Sequence, residues 1–103
     1  MIEVKLNPNG EYLEVSIIGD LDIDSTELVE DELLPELGKY KIINLIFSDV
    51  PFVDSSGMGL LINLVQSLSE KGIKVTISNV RDDVMEVFEL LQLPDILGDQ
   101  VFV

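Results

Sequence analysis

Between Phe52 and Leu61 the chain reads Phe52-Val53-Asp54-Ser55-Ser56-Gly57-Met58-Gly59-Leu60-Leu61, which sets two hydroxyls beside a carboxylate and two glycines. Upstream, Lys41-Ile42-Ile43-Asn44-Leu45-Ile46-Phe47 is β-branched and apolar, as in a strand. Downstream, residues 60–71 repeat apolar side chains at helical spacing and stop at Gly72, a favoured residue just past a helix end. The serines therefore sit at a strand-to-helix corner. The first N–H groups of a helix have no internal partner and together carry roughly half a positive charge, so such a corner receives a phosphate well. Nucleophilic catalysis by either serine would need a base, and the chain contains no histidine to supply the usual one.

A second polar segment, Gly19-Asp20-Leu21-Asp22-Ile23-Asp24, follows the expected second strand. If the second and third strands are parallel neighbours, their carboxyl ends share one edge of the sheet, where open α/β sheets bind ligands. Asp22 and Asp54 are then expected to flank one pocket. Asp24, three residues before Glu27, fits a helix-capping pair, with Ser25 a second candidate, and Asp20 fits a loop turn. Ser56, directly before Gly57, is placed to cap the helix, which would occupy its hydroxyl and leave Ser55 the freer of the two. Gly57 and Gly59 are unfavourable in a first helical turn unless another backbone or a partner approaches closely. Leu61, Leu64, Val65 and Leu68 centre the buried stripe of this helix, with Met58 and Ile62 on its flank near the serines. That flank is either core or a contact surface, and the adaptability of Met favours contact for Met58.

The elements that hold these residues read off in order. Ile2, Val4 and Leu6 alternate with Glu3 and Lys5 in a strand over 2–6. Asn7-Pro8-Asn9-Gly10 is a turn, with Asn9-Gly10 the hairpin signal, and a second strand over 12–18 alternates again. A helix over 26–37 has Leu28, Val29, Leu33 and Leu37 on its apolar stripe, and Pro35 within it predicts a kink or an early end. The third strand covers 42–47 and a fourth centres on Val75 and Ile77. From Asp82 or Asp83 a further helix places Val84, Val87, Phe88 and Leu91 on one face, with Pro94 beyond. Residues 95–98 suit a short helical turn, and 101–103 either a last strand or an ordered apolar end. Right-handed crossovers between strands adjacent in sequence order put all helices on one face. The alternating strands agree, since sheets covered on both faces read as continuous apolar runs. The expected fold is α/β: a four- or five-stranded mixed sheet with helices on one face, rather than a doubly wound sheet.

With 103 residues, 47% of them hydrophobic, the chain suits one globular domain spanning 1–103. It has no cysteine, which excludes disulfides and thiolate zinc sites. No apolar run approaches the ~20 residues of a membrane span and the start lacks a signal-peptide pattern, so a cytoplasmic protein is expected. Twenty acidic residues against six basic ones give a formal charge of −14, which repels nucleic acid and anionic lipid. That charge serves either solubility or faster encounter with a basic partner.

Gly19-Asp20-Leu21-Asp22 and Phe52 through Leu60 together resemble the two signature motifs of the STAS-domain family, and within it those of the bacterial anti-sigma factor antagonists. The likeness extends over nearly the whole chain, including the order of elements. It implies a non-enzymatic switch without cofactor or bound metal, in which the residue after the motif aspartate, here Ser55, is phosphorylated. The unphosphorylated form would bind an anti-sigma factor that is also a serine kinase using ATP and Mg²⁺, a phosphatase would restore it, and the protein would act as a monomer or weak dimer. Asp20, Asp22, Asp54, Ser56, Gly57, Met58, Gly59 and Ile62 are the expected partner-binding residues. STAS domains also serve in transporters and stressosomes, where the alternative is a scaffold or regulatory subunit working without phosphorylation. An enzyme holding Mg²⁺ on Asp20, Asp22 and Asp54 is disfavoured, because no Lys or Arg lies near the motif to bind phosphate.

Overall fold

Alternation of apolar and polar residues builds β1 (Ile2–Asn9) and β2 (Tyr12–Gly19), which pair antiparallel from Ile2 opposite Gly19 to Asn9 opposite Tyr12. The computed structural model describes residues 2–103; Met1, the start of the expected domain, lies outside the described residues. The hairpin turn is Gly10-Glu11 rather than Asn9-Gly10, with Gly10 at φ +65°, so β1 runs past residue 6 and straight through Pro8. A proline cannot donate to a ladder, and it is accommodated here because β1 is an edge strand.

β3 (Ile42–Asp49) and β4 (Lys74–Ser78) complete a sheet of order β1-β2-β3-β4 in which β2, β3 and β4 are parallel. Leu13, Val15 and Ile17 on β2, Ile43, Leu45 and Phe47 on β3, and Val75 and Ile77 on β4 are all buried, while their neighbours in each strand are accessible or half-buried. One face of the sheet is therefore covered and the other open, the two-layer arrangement that the alternation predicts.

The covering layer contains α1 (Leu34–Leu37), α2 (Ser55–Glu70), α3 (Asp82–Leu90) and α4 (Leu93–Leu97). The continuous helix expected over 26–37 is instead a 3₁₀ turn at Ile23–Ser25, a π-helical stretch at Leu28–Leu33 and α1. Pro35 gives the reason: it lacks an N–H and its ring crowds the carbonyl one turn back, so the preceding backbone widens and Leu34 N–H bonds to the carbonyl of Val29. The widened turn still delivers Val29, Leu33 and Leu37 to the core.

On α3 the apolar stripe is narrower than its spacing suggests. Val84 and Phe88 are buried, but Val87 is 40% and Leu91 50% exposed. Phe88 anchors the contact beside Val84, its ring lying edge-on to Phe47 with centroids 6.2 Å apart and against Phe102 at 5.9 Å. The final residues form a 3₁₀ turn (Asp99–Val101) and one parallel bridge from Phe102 to Ile77, so the end is ordered without extending into a fifth strand. Phe88→Ala is expected to cost about 3–5 kcal/mol, and Val87→Ala about 0.5 kcal/mol or less, read as shifts of the urea unfolding midpoint at unchanged slope. Equal losses at the two positions would contradict the packing.

Candidate functional site

After β3 the chain turns, with Val50 N–H donating to the Phe47 carbonyl at 3.0 Å, and then meets the loop that follows β2. Leu21 and Val53 form an isolated parallel bridge there: Leu21 N–H donates to the Phe52 carbonyl at 3.0 Å, and Asp54 N–H to the Leu21 carbonyl at 3.3 Å. Leu21 and Val53 are buried, and Asp22 and Asp54, next in the same register, are both half-buried. The parallel pairing of β2 and β3 thus brings both acidic segments to one edge of the sheet.

The residue that caps α2 is Asp54, not Ser56. Asp54 is extended (φ −90°, ψ −177°) and its Oδ1 accepts from Gly57 N–H at 2.8 Å. The helical conformation already begins at Ser55, which leaves Ser56 too deep in the first turn to cap it. Ser55 and Ser56 are both exposed. The distinction based on an occupied Ser56 hydroxyl therefore falls away, and position in the motif is what separates the two serines.

Asp22, not Asp24, caps the 3₁₀ turn after β2, its Oδ1 accepting from Asp24 N–H at 3.1 Å. Ser25, only 1% exposed, completes the loop: its hydroxyl accepts from Asp22 N–H and donates to the Asp20 carbonyl, each at 3.4 Å. Thr26 Oγ1 donates to the Ile23 carbonyl at 2.7 Å. Asp20 and Asp24 are exposed, and Asp22 is held with its carboxylate partly occupied.

Gly57 and Gly59 separate sharply. A Cβ on Gly57 would overlap the carbonyl oxygen of Leu21 and stand 2.7 Å from its carbon, so the close backbone approach expected of a glycine in this turn is real at Gly57. At Gly59 nothing lies within 4 Å of such an atom and the position is open to solvent, so the backbone half of the expectation fails there and only approach by a partner is left. Met58 is 5% exposed and packs in the core, so the contact reading of this residue gives way to the other one. Ile62 is half-buried, packed against the core with one side accessible.

Two apolar residues that the periodicity passes over border the corner in full view: Ile23 is 67% exposed and Phe52 52%. The available signal was an apolar side chain in each loop with no periodic partner, Ile23 between two aspartates and Phe52 after a proline. Charge is also distributed unevenly. Lys39, Lys41, Lys71 and Lys74 all lie where β3 and β4 begin or α1 and α2 end, at the opposite end of the parallel strands from Ser55. Arg81 is nearer the site edge, with its Nε donating to the Ser48 carbonyl at 3.0 Å. Among the described residues no group of His, Cys, Asp or Glu is arranged to hold a metal ion, and no helix is long and apolar enough to cross a membrane.

A mixed four-stranded sheet covered by helices on one face, with an exposed serine opening the helix after β3, defines a two-layer α/β domain. The chain belongs to the STAS domain family, whose sequence model matches residues 2–102. An anti-sigma-B factor antagonist of Bacillus subtilis (strain 168) is 24% identical over 96 residues, covering 93% of this chain and 86% of its own. Solved structures of the anti-sigma factor antagonist SpoIIAA of Bacillus superimpose in the unphosphorylated form with TM-score 0.67 (21% identity, 87% of this chain and 83% of that one). The phosphorylated form gives 0.71 (21% identity, 98% and 89%). A sulfate transporter family protein of Wolinella succinogenes gives 0.80 (18% identity, 93% and 79%). At these identities the structural likeness establishes the fold.

Gly57→Ala is expected to destabilise the domain by roughly 1–3 kcal/mol, since Leu21 or the start of α2 must move. Gly59→Ala, in open helix, should stabilise it by about 0.5–1 kcal/mol. Thermal or urea unfolding of the pair checks both signs, and a neutral Gly57→Ala would remove the proposed close approach.

Proposed function

We propose that this chain is an anti-sigma factor antagonist, a single domain over 1–103 whose docking to its partner is switched by phosphorylation of Ser55. The observation that carries this reading is the placement of Ser55: exposed, at the first position of α2, directly after the capping Asp54 and on the sheet edge shared with Asp22. The antagonist names of its relatives point the same way. The partner is an anti-sigma factor that is also a serine kinase using ATP and Mg²⁺, and a serine phosphatase reverses the mark. The chain itself works in the cytoplasm without a cofactor and catalyses nothing. Asp20, Asp22, Asp54, Ser56, Gly59 and the accessible side of Ile62 form the contact surface, together with Ile23 and Phe52.

A phosphate on Ser55 adds about −1.5 to −2 charges next to Asp54 in a chain of formal charge −14. The helix terminus offsets only about 0.3–1 kcal/mol of this when exposed. Asp54 already accepts the Gly57 N–H, so that donor is not free for the phosphate. Repulsion and desolvation at the interface then end binding, with little change in the fold.

The likeness to the transporter family protein favours one second reading, a STAS regulatory unit that binds its partner without phosphorylation. Incubation with ATP, Mg²⁺ and serine kinases encoded beside this chain, read by mass spectrometry, separates the two. A gain of about 80 Da located at Ser55 is expected, and a gain at Ser56 or none would count against the switch. In titrations against such a kinase, Ser55→Ala should keep binding and Ser55→Asp weaken it about tenfold or more. Amide shifts on phosphorylation should stay near residues 20–26 and 52–62; shifts throughout the sheet would contradict a local mechanism.

A further inference from the structure

The free edge of the sheet carries a groove that the serine site does not use. β1 pairs only with β2, and on its helix side Val4 and Leu6 face Leu28 and Leu33 across an open hollow of about 300 Å³, rimmed by Glu32 and Glu36. Leu28 and Glu32 also line an adjoining hollow of about 210 Å³ that runs on past Ile2 to Asp24 and Glu27. The floor is apolar and accessible, with Leu6 40% exposed. An edge strand with apolar side chains beside an uncovered groove is a surface that proteins usually cover or guard with charge.

The rim decides what could cover it. Among the described residues the ion pairs are Lys39–Glu36 at 3.0 Å and Lys41–Glu11 at 3.7 Å, and neither includes Asp24, Glu27 or Glu32. Lys5 is on β1 but alternates with Val4 and Leu6, so it belongs to the opposite face of the sheet. Among the described residues, three carboxylates thus border an apolar floor with no Lys or Arg between them. A second copy of this chain, also of formal charge −14, is repelled from that surface.

We propose that the groove between β1 and the Leu28–Leu37 segment docks a cationic amphipathic segment of a partner protein, with Leu, Ile or Val along one side and Lys or Arg along the other. The apolar side lies on Val4, Leu6 and Leu28, and the basic side meets Asp24, Glu27 and Glu32. Apolar contact supplies most of the affinity and the carboxylates select sign and register. This surface is independent of Ser55 and of the phosphorylation reading.

The probe is a synthetic Leu/Lys peptide of helical amphipathic period, compared with a peptide of identical composition reordered to abolish the period. Fluorescence anisotropy should show the amphipathic peptide binding about tenfold tighter or more, and amide shifts should fall on residues 2–6 and 24–36. Glu32→Lys, at an exposed position, should weaken binding by roughly threefold to tenfold. Glu89→Lys, equally exposed but on α3, should leave it unchanged. Equal binding of the two peptides, equal loss in the two variants, or shifts centred on α2 and the serines would each overturn the proposal. Leu6→Asn gives a second check, since the floor and not the charge is removed; unaltered affinity there counts against the groove.

Discussion

A single close approach of backbone to backbone organises the edge of the sheet that carries the serines. The carbonyl of Leu21 is pressed against the first turn of α2 at Gly57, and it accepts a hydrogen bond from Asp54 N–H at 3.3 Å. Because Leu21 is also bridged to Val53, three things are locked together: the end of β2, the end of β3 and the start of the helix that bears the serines. A side chain at residue 57 would push them apart. The exposed Ser55 stands on backbone that is tied to two strands and capped by Asp54.

These ties place the acidic groups and the serines on one edge in fixed register. Asp22 and Asp54 each spend a carboxylate oxygen on a backbone N–H, so the acidic groups nearest the serines are structural as well as electrostatic. Additional negative charge at residue 55 meets a surface already organised around carboxylates, while four of the six cations stand at the far end of the strands. The exposed Ile23 and Phe52 supply apolar area beside that charge.

The covering layer is less regular than the sheet. A π-helical stretch precedes Pro35 and α4 is only five residues long, while the apolar floor they cover is set by strand register. The helix widens ahead of Pro35, and Val29, Leu33 and Leu37 still reach the core.

The alternation of β1, β2 and β4, the β-branched β3 and the corner between β3 and α2 were all legible in the sequence, because period and turn chemistry are local properties of the chain. From them followed the mixed sheet, its open face, and the placing of Asp22 and Asp54 on one edge. Local rules failed where two neighbouring residues compete for one role. Asp54 rather than Ser56 caps α2, and Asp22 rather than Asp24 caps the preceding turn, because the bridge between Leu21 and Val53 holds Asp54 extended and places Asp22 beside it. In the same way, Met58 is buried and Val87 exposed according to which side of each helix the rest of the fold covers, and Gly57 differs from Gly59 through the presence of Leu21. Sequence alone thus determined which elements form and where the serines fall; contacts between residues distant in the chain decided which oxygen caps, which glycine is required and which apolar side chains face solvent, since none of these is encoded within a single helical turn or strand.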